Sequence, residues 1–248
     1  MPVKTVDRYD MKDLQIIISC NQQEMGVADF LDIKTGPSKN TSQISFENFR
    51  PSGALELTRH SIQNIVIKYK QKVRDYFEVK LLQGISFTDD NRLYLICDFN
   101  PEQHHYEQDL INLLKAWDNN TGKGWQGLNT RDKRTWLTGC LYYSGIPRET
   151  KKNRTYIIDG LRVDNELDFY CLLGEVFFGS RGYFGQGIES FEDCLLEMRP
   201  TEGHGSKIVF TSSRRIRSAL NTYYPDEFDR VCTIFRKFGF DTFITHDD

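Results

Sequence analysis

The sequence predicts two domains, a β-rich α+β domain over residues 1–147 and a smaller α/β domain over residues 153–248. Short segments rich in Val, Ile, Phe and Tyr dominate the first half of the chain. After residue 155, strand patterns alternate with helical patterns, as in a parallel sheet with covering helices. Between the halves lies GIPRETKKNR, residues 145–154, a polar stretch with one proline that is typical of a linker.

The first half contains six segments with strand composition, and turn-forming stretches such as TGPSKN, RPSG and TDDN separate several of them. The predicted strands are LQIIISC (14–20), ADFLDIK (28–34), SQISFENF (42–49), SIQNIVIKYK (61–70), YFEVKLL (76–82) and RLYLICDF (92–99). Two helical patterns follow, at residues 104–117 and 130–143. This order predicts a sheet-dominated domain.

The second half has the order strand, helix, helix, strand, helix, strand. The strands are predicted at residues 155–163, 206–212 and 240–246, and the helices at 165–178, 188–198 and 227–238. Asp164 and Asn165 are both candidate N-caps of the first helix. Because the unit is small, we expect a three-stranded parallel sheet with covering helices.

Composition indicates a globular protein of the cytoplasm. Charged residues make up 27% and hydrophobic residues 39% of the 248 residues, and the apolar runs are shorter than a bilayer span. The first residues, MPVKTVDRYDMKDLQ, contain no apolar signal core. The six cysteines form no CxxC pair and lie mostly in apolar runs, so we expect buried, reduced thiols.

Charge is distributed unevenly along the chain. Residues 155–248 hold 16 acidic against 10 basic residues, whereas residues 1–154 hold 19 against 22. An acidic C-terminal part argues against phosphate binding there and favours a basic partner, if the partner is charged. Ordinary variation of surface composition would produce the same asymmetry.

The segment RGYFGQGIESFEDCLLEM, residues 181–198, joins a glycine-rich loop to an acidic helix. A core stripe recurs at helical spacing, at Ile188, Phe191, Leu195 and Met198. Glu189, Glu192 and Asp193 are three and four residues apart, so they project from a neighbouring face. The glycines permit positive φ and close backbone approach. We expect a stiff loop that presents two aromatic rings and a cluster of carboxylates, although a solvated polar face would show the same charges.

Residues 153–248 resemble the barstar family of intracellular ribonuclease inhibitors. The resemblance rests on TYIIDG at the start, on the run YFG followed by two carboxylates four residues apart, on a helix containing FR, and on the closing strand FDTFITH. It implies a barstar-like fold. It also implies that Tyr183 and Phe184 are interface aromatics and that Gly185 is the turn glycine between them and the helix.

The same resemblance assigns the carboxylates. Glu189 falls where the family has a helix-start aspartate, and Asp193 on the aspartate that enters the nuclease's phosphate-binding pocket. Asp229 falls near a further interface glutamate. Gly187 replaces a polar residue, and Glu192 stands where the family has a tryptophan, which removes an apolar contact and adds charge.

The resemblance implies an immunity protein that neutralises a basic ribonuclease toxin without a cofactor. A ribonuclease active site is cationic because it holds phosphodiester oxygens, so a carboxylate cluster is complementary to it. Contact with a membrane is not expected, nor is direct binding of nucleic acid by this domain. The alternative is an RNA-associated regulatory protein that uses the basic first half.

Other kinds of site have weaker support. No GxSxG is present, no cysteine has a catalytic signature, and the adjacent His104 and His105 lack metal-ligand spacing, so neither an enzyme nor a metal site is predicted. The glycine-rich loop follows a helix and lacks a P-loop lysine, which disfavours phosphate binding. The segment GKGWQGLNTRDKRTW, residues 122–136, mixes basic residues with Trp125 and Trp136 and could stack on bases, or simply bury both rings.

Overall fold

The structure, a computed structural model, describes residues 13–36, 38, 40–53, 59–83, 86–88, 90–102, 106–198 and 205–245. The chain divides into two compact units, Met1–Gly122 and Lys123–Asp248. The division falls before the stretch 145–154 that was predicted to be the linker. The helix patterned over residues 130–143 therefore belongs to the second unit and not to the β-rich domain.

Among its described residues, the first unit has an antiparallel sheet of nine strands. The strands are β1 (Leu14–Cys20), β2 (Gln23–Ala28), β3 (Phe30–Thr35), β4 (Thr41–Glu47), β5 (Arg50–Pro51), β6 (Ile62–Tyr69), β7 (Lys72–Leu81), β8 (Ser86–Phe87) and β9 (Leu93–Asp98). Their spatial order is β3-β4-β9-β7-β6-β1-β2-β5, with β8 paired to β9. The six predicted strands are all present. The others escaped prediction because β5 and β8 have two residues each and β2, QEMGVA, is poor in strand-forming residues.

On β1, β4, β6 and β9, buried residues alternate with partly or fully exposed ones, as a half-covered sheet requires. On β1, Leu14, Ile16 and Ile18 are at most 1% exposed. Helix α1 (Gln108–Asp118) packs against β1 and β3. Its last residue, Asp118, accepts a hydrogen bond from the Leu14 amide at 2.9 Å. The predicted start of this helix at residues 104–105 lies outside the described residues.

The second unit contains a three-stranded parallel sheet of order β10-β11-β12. Its elements are α2 (Thr130–Ser144), β10 (Thr155–Asp159), a 3₁₀ turn (Gly160–Arg162), α3 (Glu166–Phe178), α4 (Ile188–Glu197), β11 (Lys207–Thr211), α5 (Ser213–Leu220), α6 (Glu227–Lys237) and β12 (Asp241–Ile244). The chain is thus a mixed α+β protein with a large antiparallel sheet and a small parallel sheet with helices, as predicted in general kind.

Helix α5 was not predicted, because three of its first five residues, SRRIR, are arginines. Its buried apolar residues are Ile216, Ala219 and Leu220, at helical spacing. The arginines lie on the other face of the helix, where Arg217 donates two hydrogen bonds to the Asp229 carboxylate. Three apolar residues in eight are too short a pattern to outweigh the adjacent charges.

Helix α2 is joined to α3 by a buried ion pair, which explains why it belongs to the second unit. The Lys133 ammonium lies 2.6 Å from the Asp168 carboxylate, and both side chains are less than 10% exposed. Asp168 also closes the capping box of α3 with Asn165, which is the N-cap. Nearby, the Trp125 indole donates to the Glu175 carboxylate at 2.7 Å. None of these long-range partners is visible in a local pattern.

Candidate functional site

Helix α4 carries the predicted carboxylates, and Glu189 and Asp193 project into solvent. Ile188, Phe191 and Leu195 are buried, in agreement with the predicted stripe, while Glu189 and Asp193 are exposed. Neither of these two forms an ion pair with a residue that the structure describes. Because Glu189 lies in the first helical turn, the helix dipole favours its charge. The face is therefore an anionic surface that no cation of the described unit neutralises.

The start of α4 rests on Gly185, as the glycine-rich sequence predicts. Gly185 has φ +92°, and a Cβ there would lie 2.6 Å from the Phe191 amide nitrogen. The Ser190 hydroxyl accepts from the Gln186 amide at 2.8 Å and donates to the Gly187 carbonyl at 3.0 Å. These contacts fix the direction in which the helix leaves the loop.

The loop before α4 also lies directly on α3. A Cβ on Gly174 would lie 2.1 Å from the Gly182 carbonyl oxygen, and a Cβ on Gly182 would lie 2.3 Å from the Gly174 carbonyl oxygen. Two backbones approach this closely only where neither residue has a side chain. The loop is therefore held against α3 as well as against α4, which gives the acidic helix a rigid base.

The structure corrects the predicted role of Tyr183 and Phe184. Phe184 is fully buried, with ring centroids 4.6 Å from Phe177 and 5.2 Å from Phe191, and Tyr183 is 5% exposed. Burial raises the pKa of the Tyr183 phenol, and the Ser190 hydroxyl opposes this shift. The two rings form the core beneath α4 and hold it in place. A partner that docks on this conformation does not contact them extensively.

Two other predicted carboxylates are already paired within the unit. Glu192 is half-buried and accepts from the Lys237 ammonium at 2.7 Å. Asp229 is exposed, and the bidentate Arg217 guanidinium, at 2.6 and 2.9 Å, lowers the pKa of its carboxyl. Both charges are therefore largely compensated, and they contribute less to an anionic surface than Glu189 and Asp193.

Sequence reasoning missed two exposed residues at the end of α4. Leu196 is 55% exposed, and Glu197 beside it is exposed as well. Leu196 lies three residues after Asp193, so the two share a face of the helix. A leucine that interrupts the apolar spacing of the core stripe was the available signal. The surface centred on α4, consisting of Glu189, Asp193, Leu196 and Glu197, is hereafter called the acidic face.

The basic–aromatic segment before α2 does not present its rings. Trp125 is 3% exposed and Trp136 5% exposed. The Arg162 guanidinium lies over the Trp125 ring, 5.3 Å from its centroid, and Lys133 is paired with Asp168. Base stacking requires exposed ring faces. In this conformation the segment contributes to the core and does not form a stacking platform.

The cysteines and the metal-ligating residues offer no further centre within the part of the chain that the structure describes. Five of the six cysteines are buried and Cys20 is partly exposed, all as free thiols, as the sequence predicts. Burial raises the pKa of the Cys97 and Cys194 thiols to about 12. No described group of His, Cys, Asp and Glu could hold a metal ion. His104, His105 and His204 lie outside the described residues.

No described helix has the length and apolar character needed to cross a membrane. The chain matches no protein family model, no curated protein and no solved structure.

Proposed function

We propose that this protein inhibits a basic ribonuclease by docking the acidic face of α4 into the enzyme's cationic active site. The observation that carries the proposal is the pair of exposed carboxylates, Glu189 and Asp193, that lack an ion-pair partner among the described residues. They project from a helix whose start is fixed by Gly185. A preorganised anionic surface of this kind is complementary to a site built to hold phosphates.

The surroundings of α4 support a protein partner over a small ligand. The face is convex, because it is the outer side of a helix, whereas small ligands occupy concave sites. Exposed Leu196 adds an apolar contact beside Asp193. A carboxylate that reaches an arginine or lysine of the partner forms short charge-assisted hydrogen bonds, while the carboxylates at the rim mainly accelerate encounter. In this proposal the protein is a cytoplasmic, barstar-like immunity protein against a toxin nuclease.

The test is to measure inhibition of a basic ribonuclease by the full chain and by the Asp193→Ala and Glu189→Ala variants. We expect Asp193→Ala to raise the inhibition constant at least tenfold, which corresponds to about 1.4 kcal/mol. The measurement is the rate of RNA cleavage at increasing inhibitor concentrations. The association rate should also fall as salt rises, because the charges steer encounter.

Glu149→Ala is the matched control, because Glu149 is an exposed carboxylate of the same unit that lies outside α4. Its inhibition constant should stay within about twofold of the unmodified chain. If the two helix variants inhibit as well as this control, the acidic face is not the inhibitory surface. Binding of RNA by the intact chain in place of the ribonuclease would favour the regulatory alternative.

A further inference from the structure

A groove of about 480 Å³ lies on the second unit. Residues of α2, of the start of α3, of the loop before α4 and of the loop after α5 line it. None of the four residues of the acidic face is among the described residues that line it. Its volume falls within the range of about 300–1,000 Å³ that is typical of sites for small ligands. The groove is therefore a candidate ligand site that is separate from the acidic face.

Two side chains of opposite charge line the groove from different helices. Arg134, on α2, is exposed, and Glu166, in the first turn of α3, is half-buried. Neither forms an ion pair or a side-chain hydrogen bond with a residue that the structure describes. Burial raises the pKa of the Glu166 carboxyl, and the charge of Arg134 opposes this rise. Because a partly desolvated charge without a partner is costly, a ligand that pairs with both groups would be favoured.

An exposed aromatic ring also lines the groove. Tyr223 is 75% exposed and lies on the loop between α5 and α6. The side chain of Asn221 braces this loop, because it accepts a hydrogen bond from the Phe228 amide at 3.0 Å and donates one to the Pro225 carbonyl. The Tyr223 ring can therefore stack on a planar group of a ligand at little cost in conformational entropy.

We propose that the groove binds an aromatic amino acid, whose carboxylate pairs with Arg134, whose ammonium pairs with Glu166 and whose ring stacks on Tyr223. A zwitterion suits the groove because it neutralises both charges, whereas Glu166 repels an anion and Arg134 repels a cation. Thr130, one turn before Arg134 on the groove side of α2, adds a hydroxyl that can donate to the carboxylate. This site does not depend on the proposed function.

The experiment is a titration of the full chain with L-phenylalanine and with two analogues that each lack one charge, phenethylamine and 3-phenylpropionate. Binding is followed by calorimetry and by ligand-observed NMR. We expect phenylalanine to bind about fivefold or more tightly than either analogue, because only phenylalanine pairs with both Arg134 and Glu166.

Two variants assign each charge of the ligand to its partner. Arg134→Gln should weaken phenylalanine binding about fivefold or more and should not weaken phenethylamine, which has no carboxylate for Arg134 to hold. Glu166→Gln should weaken phenylalanine to a similar extent and should not weaken 3-phenylpropionate, which has no ammonium. Retained binding of the indifferent analogue shows in each case that the groove is still folded.

Tyr223→Ala and Tyr224→Ala form a matched pair. Both residues are exposed on the same loop, but Tyr224 is not among the described residues that line the groove. Tyr223→Ala should weaken phenylalanine binding about threefold or more, and Tyr224→Ala should leave it within about twofold. Failure of phenylalanine to bind, equal affinities for the three compounds, or groove variants that bind like the unmodified chain would overturn the proposal. None of these outcomes bears on ribonuclease inhibition, which is measured separately.

Discussion

At the scale of one residue, Glu227 is a buried carboxyl whose ionised form is unfavourable in the folded state. Its carboxyl is buried, and burial together with the charge of Glu166 raises its pKa, while Arg230 opposes the shift only partly. Glu189 and Asp226 raise the pKa further. Groups whose pKa is shifted by burial and by like charges are enriched at functional sites. The burial of Glu227 and the negative charges around it lead to a prediction for the stability of the fold.

Glu227→Gln is expected to stabilise the fold at neutral pH. Because the folded pKa lies above the ordinary value of 4.5, the folded state binds more protons than the unfolded state as pH rises from that value. The free energy of unfolding of the native chain therefore falls with rising pH through this window, and ionised Glu227 is destabilising above it. The neutral variant should raise Tm by about 2 °C or more at pH 7 and by much less at pH 4.

Thermal unfolding followed by circular dichroism at both pH values checks this prediction. Glu149→Gln, which removes an exposed charge of the same unit, should shift Tm little at either pH. A variant at position 227 that is less stable than the native chain at pH 7 would mean that the carboxylate is well compensated, contrary to its burial and its unpartnered Oε2.

Helix α4 depends, at the scale of the element, on backbone conformations that only glycine adopts easily. Gly185→Ala should destabilise the chain by about 2 kcal/mol or more, because it combines a positive φ with a Cβ 2.6 Å from the Phe191 amide nitrogen. The measurement is urea denaturation of the full chain. Loss of α4 should also abolish any inhibition that depends on Asp193.

Gly187→Ala provides the matched control two residues away. Gly187 has an extended backbone, φ 178°, and a Cβ there would meet nothing within 4 Å. We expect a change of less than about 1 kcal/mol. If both variants were equally stable, the strain at Gly185 would be relieved by movement of the loop, and the loop would not be the rigid base described above.

The elements differ in how well their sequences predicted them, for physical reasons. The common face of Glu189 and Asp193 was predicted because their positions on α4 follow from helical periodicity alone. The burial of Tyr183 and Phe184 was not predicted. It depends on the close approach of Gly174 and Gly182, which lie on different segments of the chain. The pairing of Glu192 with Lys237 likewise joins residues 45 positions apart. The buried glutamate at 227 has the same sequence pattern as an ordinary acidic first turn.

Domain organisation, at the scale of the whole molecule, is determined by contacts that cross the predicted linker. Helix α2 precedes the stretch 145–154, yet it packs against α3 beyond it. A polar segment with proline is compatible with a linker and also with a loop inside a unit. Long-range contacts such as the buried Lys133–Asp168 pair distinguish the two, and periodicity does not reveal them.

The fragment 123–248 is therefore expected to fold cooperatively, and the fragment 153–248 to be markedly less stable. The shorter fragment lacks α2 and leaves Asp168 without Lys133, and loss of one partner of a buried ion pair typically costs about 3–5 kcal/mol. Urea denaturation of the two purified fragments, followed by circular dichroism, is the measurement. Equal midpoints would show that α2 contributes little to the second unit.

The Asp168 carboxylate serves two helices at once, since it caps α3 through the backbone amides of Asp164 and Asn165 and also holds the ammonium of α2. An engineer who wished to loosen the attachment of α2 by neutralising this acid would fray the neighbouring helix in the same step. Shortening or replacing Lys133 instead would weaken only the contact between α2 and α3, and the cap of α3 would stay intact.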